Sequence, residues 1–158
     1  LVETGLLTVE RKGRFRWYAV RCQEVLQLAV LLRTTAETLL GAPQTDVKDE
    51  LSLSEGLSLA RQGRLQLIDV RPFEEFQSGH LAGALSLPLA SLSETITKLD
   101  SETPAAAYCR SPYCFLARQA QEIFAKHGKT LYVLPDGVQD WKASSPELLT
   151  ISTDSEES

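Results

Sequence analysis

Two hydrophobic patterns follow each other in the N-terminal part of this chain of 158 residues. Apolar and polar side chains alternate through residues 7–9 and again through 15–17, with residues 12–13 between the two runs. Alternation on both sides of a turn that contains glycine predicts a β-hairpin. From residue 22 to residue 40 the apolar positions recur at helical spacing instead, which predicts a long helix ending before Gly41. That helix is apolar over a broad face, so we expect it to pack against another surface, for example a second copy of the chain.

Strand-like and helix-like stretches alternate from residue 52 to residue 146. Short apolar runs predict buried strands at residues 65–70, 84–87, 105–108 and 130–134. Helices are predicted at residues 52–62, 74–79, 89–99 and 116–127, and near Trp141. This alternation is typical of an α/β fold with a mostly parallel sheet flanked by helices. Ligands of such folds bind beyond the carboxyl ends of the strands, where Asp69 and Cys109 are both expected.

Cys109 is predicted to lie in the loop between the strand at 105–108 and the helix that follows. The first amides of a helix have no partners within the helix, and the helix dipole favours negative charge there. Both effects favour a thiolate over a thiol. Arg110 adds a cation beside that thiolate, which acts in the same direction. The loop therefore predicts a reactive sulfur anion.

Composition indicates the cellular compartment in which Cys109 is expected to react. The proportions of hydrophobic and charged residues, 43% and 23%, are ordinary for a globular protein. No apolar run has membrane-spanning length and no signal-peptide pattern opens the sequence, so we expect no membrane partner. Three cysteines make no disulfide framework in a chain of this size, which indicates a reducing, cytoplasmic setting. The chain begins with Leu1 and contains no methionine, so we expect a fragment or a processed product.

Charge is distributed unevenly along the chain, whose formal net charge is −5. Residues 1–21 carry five basic and two acidic side chains, whereas the remainder is strongly acidic. We therefore expect different partners at the two ends. The closing residues 152–158 are polar and acidic and are predicted to form a disordered tail.

Four stretches between residues 52 and 146 resemble the motifs of the rhodanese family, in that family's order. They are Asp-Val-Arg within residues 67–76, Gly-His-Leu-Ala-Gly-Ala followed by Pro88 within 79–88, the cysteine loop at 109–114, and Asp136-Gly137 followed by Trp141. The resemblance implies a rhodanese-like parallel sheet flanked by helices. It also implies sulfurtransferase activity.

The first 41 residues resemble a second family. Residues 1–18 are similar to the wing of an ArsR-type winged helix-turn-helix regulator, and residues 22–40 are similar to its C-terminal dimerisation helix. This resemblance implies DNA binding, in the full-length regulator only, and a homodimer formed through helix 22–40. The chain would then comprise a partial winged helix-turn-helix at 1–41, a linker at 42–51, a rhodanese domain at 52–146 and an acidic tail at 147–158.

The rhodanese resemblance implies that Cys109 carries sulfane sulfur as a persulfide. A donor such as thiosulfate would supply the sulfur, a thiol or cyanide would accept it, and neither a cofactor nor a metal would be needed. Backbone amides would hold the terminal sulfur as an anion nest does. The residues implied for this loop are Arg110, Ser111, Pro112, Tyr113, Cys114 and Phe115, although Pro112 has no N–H to donate. Asp69 and Arg71 are expected to order its surroundings through an ion pair or hydrogen bonds.

The loop departs from the family's thiosulfate-type pattern, Cys-Arg-x-Gly-x-Arg/Thr. Pro112 replaces the usual glycine, and Cys114 replaces the usual arginine or threonine. Cys114 could attack a persulfide or sulfenate on Cys109 and close a disulfide. A second hypothesis therefore makes the chain a redox- or sulfur-sensing module of a DNA-binding repressor, with Cys109 and Cys114 as the switch and little turnover.

The cysteine loop allows two further interpretations. Rhodanese-like folds also carry phosphatases, which need Cys-x5-Arg to clamp phosphate, but Phe115 occupies the arginine position and Arg118 is too far along the helix. An inert, buried Cys109 would instead make the domain an interaction module without catalysis.

Overall fold

The N-terminal part is a β-hairpin followed by a long helix. The computed structural model describes residues 1–41, 49–112 and 114–151. Strands β1 (Leu7–Lys12) and β2 (Phe15–Val20) pair antiparallel, and helix α1 spans Gln23–Leu40. The turn contains Gly13 and Arg14, one residue later than predicted, and Gly13 has a φ of +62°. Positive φ at the first turn residue matches the twist of a two-residue hairpin, which explains the glycine.

A four-stranded parallel sheet organises the larger part of the chain. Its strands are β3 (Gln66–Asp69), β5 (Leu85–Ser86), β6 (Ala105–Tyr108) and β7 (Leu131–Val133). They lie in the order β5-β3-β6-β7. The helices around it are α2 (Leu53–Arg61), α3 (Phe73–Gln77), α4 (Leu92–Thr95), α5 (Leu116–Lys126) and α6 (Val138–Ser144). The predicted α/β fold, with a parallel sheet flanked by helices and an N-terminal hairpin, is confirmed.

The two faces of the sheet carry separate hydrophobic clusters because side chains alternate along each strand. On β6, Ala105 and Ala107 belong to the cluster that contains Phe124 of α5, whereas Ala106 and Tyr108 belong to the cluster that contains Trp141 of α6. Cys109 continues this alternation and packs on the α5 face. The end of the strand therefore decides to which side the cysteine points.

Three local features differ from the sequence-based expectations. The helix expected at 89–99 is broken into 3-10 turns on either side of α4. A small antiparallel pair joins β4 (His80–Leu81) to β8 (Leu149–Thr150), since two-residue strands have no detectable periodicity. Residues 147–151, assigned to the tail, thus belong to the folded part, because Leu148 and Leu149 pack against the Trp141 cluster. The linker residues 42–48 and the tail residues 152–158 lie outside the described residues.

Helix α1 lies against α6, and polar side chains of α1 contact it. Gln23 and Gln27 donate to the Lys142 and Ala143 carbonyls at 3.3 and 3.2 Å, and Arg33 forms an ion pair with Asp140. None of the residues of α1 is buried. In the described parts of the chain, no helix combines the length and the apolar character that crossing a membrane requires.

Phe124→Ala should lower the free energy of unfolding by about 3–5 kcal/mol, because it leaves a cavity between α5 and the sheet. Phe124 is 1% exposed, whereas Phe115, at the start of the same helix, is 70% exposed. The matched variant Phe115→Ala should change stability by less than about 0.5 kcal/mol. Urea unfolding of both variants measures the difference, and equal effects would contradict the assignment of Phe124 to the core.

Candidate active site

The N-terminus of α6 holds the backbone of the cysteine loop. The Val138 amide donates to the Cys109 carbonyl at 3.1 Å, and the Gln139 amide donates to the Arg110 carbonyl at 2.9 Å. These two amides belong to the first turn of α6, where helices lack internal acceptors. The loop carbonyls satisfy both amides, and the start of the loop is fixed in return.

Gly137 allows this close approach. A Cβ atom at residue 137 would lie 2.3 Å from both the Arg110 carbonyl carbon and the Ser111 nitrogen. Real Cβ atoms do not come so close to backbone atoms, so only glycine fits without moving the loop. Gly137 was part of one rhodanese-like motif in the sequence, but it was not predicted to be a site residue. The Asp-Gly pair after the last strand of the sheet is the sequence signal that could have identified it.

Cys109 and Cys114 are joined by a disulfide across the loop. Cys109 is 3% exposed and belongs to the cluster on the α5 face, and Cys114 is partly buried at the edge of that cluster. Cys22, immediately before α1, is exposed and free. The structure thus describes the site in its oxidised state.

The loop amides differ in their availability as donors. The Cys114 amide donates to the Ser111 carbonyl at 3.0 Å, so this expected donor to a bound sulfur is already used within the loop. Phe115 is the N-cap residue of α5 and turns its ring to solvent. Tyr113 lies outside the described residues. The expected amide ring is therefore smaller than the sequence suggested, since Pro112 also has no N–H.

The Arg110 guanidinium is held by Glu75 and reaches the sulfur of Cys114. Arg110 Nε donates to Glu75 Oε2 at 2.8 Å, and Nη2 donates to Oε1 of the same carboxylate. The remaining nitrogen, Nη1, lies 3.9 Å from Cys114 Sγ. Hydrogen bonding to Glu75 raises the pKa of Arg110, so the guanidinium stays charged. The sulfur that Arg110 reaches is bonded to Cys109, so the guanidinium lies near the disulfide and its contact is with Cys114.

Glu75 was missed by sequence reasoning. It lies in the first turn of α3, next to a second glutamate, Glu74. Nothing in the local pattern distinguishes the two, and only the packing of α3 beside the loop selects Glu75 as the partner of Arg110.

Asp69 and Arg71 form the predicted ion pair beneath the loop. Arg71 Nε donates to both carboxylate oxygens of Asp69, at 2.9 and 3.1 Å, and both residues are buried. Arg71 Nη2 also donates to the Gly79 carbonyl at 2.8 Å. The pair therefore ties the end of β3 to the segment before β4.

Tyr108 completes this buried layer on the neighbouring strand. Its hydroxyl oxygen accepts a hydrogen bond from the Leu81 amide at 3.1 Å. Burial, and secondly the negative charge of Asp69, raise the pKa of Tyr108, so the hydroxyl remains protonated. The phenol acts as a structural link between β6 and β4.

The His80 ring is held by contacts with Phe76. Its Nδ1 lies 2.9 Å from the Phe76 carbonyl, and its ring stacks on Phe76 with a centroid distance of 3.7 Å. Within residues 1–41, 49–112 and 114–151, no group of three or more His, Cys, Asp or Glu side chains is arranged to hold a metal ion.

A family model described as the rhodanese-like domain matches residues 52–144. The chain belongs to the rhodanese family. A rhodanese-related protein from Thermoplasma volcanium has the same fold, with a TM-score of 0.57 at 17% identity, covering 66% of this chain and all of that one.

Two curated relatives extend the comparison beyond the fold. The thiosulfate sulfurtransferase GlpE of Coxiella burnetii is 32% identical over 99 residues, which is 61% of this chain and 90% of that enzyme. The HTH-type transcriptional regulator Rv0324 of Mycobacterium tuberculosis is 31% identical over 149 residues, which is 87% of this chain. The chain spans 64% of the length of that regulator. The similarity to Rv0324 extends beyond the rhodanese domain into the N-terminal residues.

Asp69→Asn should lower the free energy of unfolding by about 3–5 kcal/mol, because it leaves the Arg71 guanidinium buried without its counter-charge. Replacing both partners, with Asp69→Asn and Arg71→Met together, should cost less than the single change. The exposed control Glu102→Gln should stay within about 0.5 kcal/mol of the wild type. Denaturant unfolding tests this, and a single variant as stable as the wild type would contradict the role of the pair.

Proposed function

We propose that this chain is a rhodanese-type sulfurtransferase that carries sulfane sulfur as a persulfide on Cys109. The observation that carries the proposal is the position of Cys109. It lies at the carboxyl end of β6, in a loop whose carbonyls are bound by the first amides of α6. Similarity to a relative named thiosulfate sulfurtransferase supports the same activity.

The proposed reaction starts from the reduced loop. The Cys109 thiolate attacks the outer sulfur of thiosulfate, the sulfur–sulfur bond of the donor breaks, and sulfite leaves with the bonding electrons. An acceptor thiolate or cyanide then attacks the terminal sulfur of the persulfide, and Cys109 leaves as the thiolate. In this proposal the amides of Arg110, Ser111 and Phe115 stabilise the anionic terminal sulfur.

Asp69 and Arg71 support this site without touching the reacting sulfur. Their buried pair fixes the end of the strand next to β6, and no acid or base step is assigned to them. No cofactor is part of the proposal. The cytoplasmic setting inferred from cysteine usage stays a prediction.

A second candidate function is a sulfur- or redox-responsive switch, and the Cys109–Cys114 disulfide favours it. Once Cys109 carries a persulfide, the Cys114 thiolate can attack Cys109 Sγ. The bond to the sulfane sulfur breaks, hydrosulfide leaves, and the disulfide closes. One donor molecule is thereby consumed without any external acceptor, which suits signalling rather than turnover.

The contacts of α6 offer a route from this switch to the N-terminal helix. The first turn of α6 binds the loop, and Asp140 in the same turn accepts from the Gly137 amide at 3.1 Å. Asp140 also pairs with Arg33 of α1. A change of the loop that moves the start of α6 would therefore alter the contact between Asp140 and Arg33 of α1.

We further propose that residues 1–41 are the wing and dimerisation helix of an ArsR-type winged helix-turn-helix regulator. The similarity to Rv0324, named an HTH-type transcriptional regulator, supports this reading. DNA binding is proposed for the full-length regulator, and the basic hairpin would contact the phosphate backbone. Exposed leucines of α1 provide the proposed homodimer surface: Leu28, Leu31, Leu32, Leu39 and Leu40.

Cys109→Ser should abolish persulfide formation when the reduced chain is treated with thiosulfate, because no other cysteine lies at the end of β6. Mass spectrometry of peptides measures the sulfur adduct. Cys22→Ser, the matched control, should retain it, and Cys114→Ser should accumulate it because the second step is blocked. A wild-type chain that acquires no sulfur on Cys109 would rule out the proposed sulfur transfer.

Oxidation of the loop should change the hydrogen exchange of the α1 amides, by roughly fivefold if the coupling is about 1 kcal/mol. Arg33→Gln should reduce this difference, because it breaks the contact with Asp140. Glu37→Gln is the matched control, since it changes another partner of Arg33 and leaves Asp140 in place. Identical exchange of α1 in the oxidised and reduced wild type would exclude coupling through α6.

A further inference from the structure

The two cysteines of the disulfide differ in their exposure to solvent. Cys109 is 3% exposed and packs within the cluster on the α5 face, whereas Cys114 is partly exposed at the edge of that cluster. Access is one of the factors that decide which sulfur of a disulfide a nucleophile attacks. Cys109 is therefore the inner end of the disulfide, and Cys114 is its outer end.

Packing favours the outer end as well. Cys109 is a member of the buried cluster on the α5 face, so a nucleophile that reaches its sulfur has to displace buried side chains. Cys114 packs against that cluster from its partly exposed edge.

Arg110 adds an electrostatic preference for Cys114. Its Nη1 lies 3.9 Å from Cys114 Sγ, and its side chain is 38% exposed, so an anion from solvent can reach the guanidinium. Glu75 holds the other two nitrogens and so orients the third towards the sulfur. The nucleophiles that open disulfides, thiolates and sulfite, are anions. They meet a fixed positive charge at the outer sulfur.

Resting on the switch proposed above, we infer that the disulfide opens by attack on Cys114, with Arg110 guiding the anion and Glu75 positioning Arg110. An external thiolate forms a bond to Cys114 Sγ, the Sγ–Sγ bond breaks, and Cys109 leaves with the electron pair as a thiolate. A second thiolate then attacks the external sulfur of the mixed disulfide and releases the Cys114 thiolate. A small-molecule disulfide is the oxidised product. Each reductive opening thus returns Cys109 first, in the form that a sulfur donor requires.

Sulfite cleavage of the oxidised chain tests this order directly. Sulfite converts a disulfide into one S-sulfonate and one thiolate, and an alkylating reagent added during the reaction traps the thiolate. We expect the S-sulfonate on Cys114 and the alkyl group on Cys109, in at least roughly tenfold excess over the reverse pattern. Peptide mass spectrometry reads both labels, and an equal or reversed distribution would overturn the inference.

The role of Arg110 is tested by the charge of the nucleophile. Arg110→Ala should slow cleavage by sulfite roughly fivefold, the effect of one unit charge at about 4 Å in water. Cleavage by a neutral phosphine should keep its wild-type rate, which a purely structural effect of the substitution would not allow. Glu75→Gln should also slow cleavage by sulfite, but less than Arg110→Ala does, and should leave the rate of cleavage by phosphine unchanged. Lys126→Ala, which removes an exposed cation at the far end of α5, should leave both rates unchanged.

The outcomes separate this inference from the proposals on which it rests. If Cys109 and Cys114 both remain free thiols in the oxidised chain, both the switch and the attack on Cys114 are overturned. If the disulfide forms but opens at Cys109, or if Arg110→Ala slows sulfite and phosphine equally, only the inference fails. Persulfide formation on the reduced chain is measured independently of either result.

Discussion

The architecture of the site depends on a backbone-to-backbone contact between two loops. Gly137 brings the start of α6 against the Arg110–Ser111 peptide, and the next two amides bind the carbonyls of Cys109 and Arg110. This contact exists only because residue 137 has no Cβ. It fixes the cysteine loop from outside its own strand and helix, so the geometry of the sulfur is set by a segment far along the chain.

Helix α6 consequently contacts two parts of the chain, the cysteine loop and α1. Its first turn holds the cysteine loop, while Asp140 and the carbonyls near its C-terminus meet α1 through Arg33 and two glutamines. These contacts are polar and directional, so they respond to small displacements more sharply than an apolar interface does. A short helix with fixed contacts on both sides is suited to relay a change at the sulfur site to the N-terminal segment.

The loop itself is asymmetric in burial and in charge. Cys109 continues the alternation of β6 into the core, and Cys114 lies at the edge beside Arg110. In the proposed function, sulfur transfer and disulfide switching use different ends of one loop, with the inner cysteine as the carrier and the outer cysteine as the contact with solvent. Cys114, which departs from the thiosulfate-type pattern, provides the outer end.

Features that depend only on neighbours along the chain could be predicted from the amino-acid sequence. The apolar run at 105–108 and the helical spacing after 116 fixed β6, α5 and the loop between them, because alternation and helical period are local properties. The Asp69–Arg71 pair could also be predicted from the sequence, because the two residues are neighbours at the end of one strand and can form an ion pair through local contacts alone. Tertiary structure alone decided that Arg110 turns to Glu75 and Cys114, that β4 pairs with β8, and that α1 lies against α6. Each of these joins segments distant in sequence, and their meeting is set by packing that no local pattern encodes.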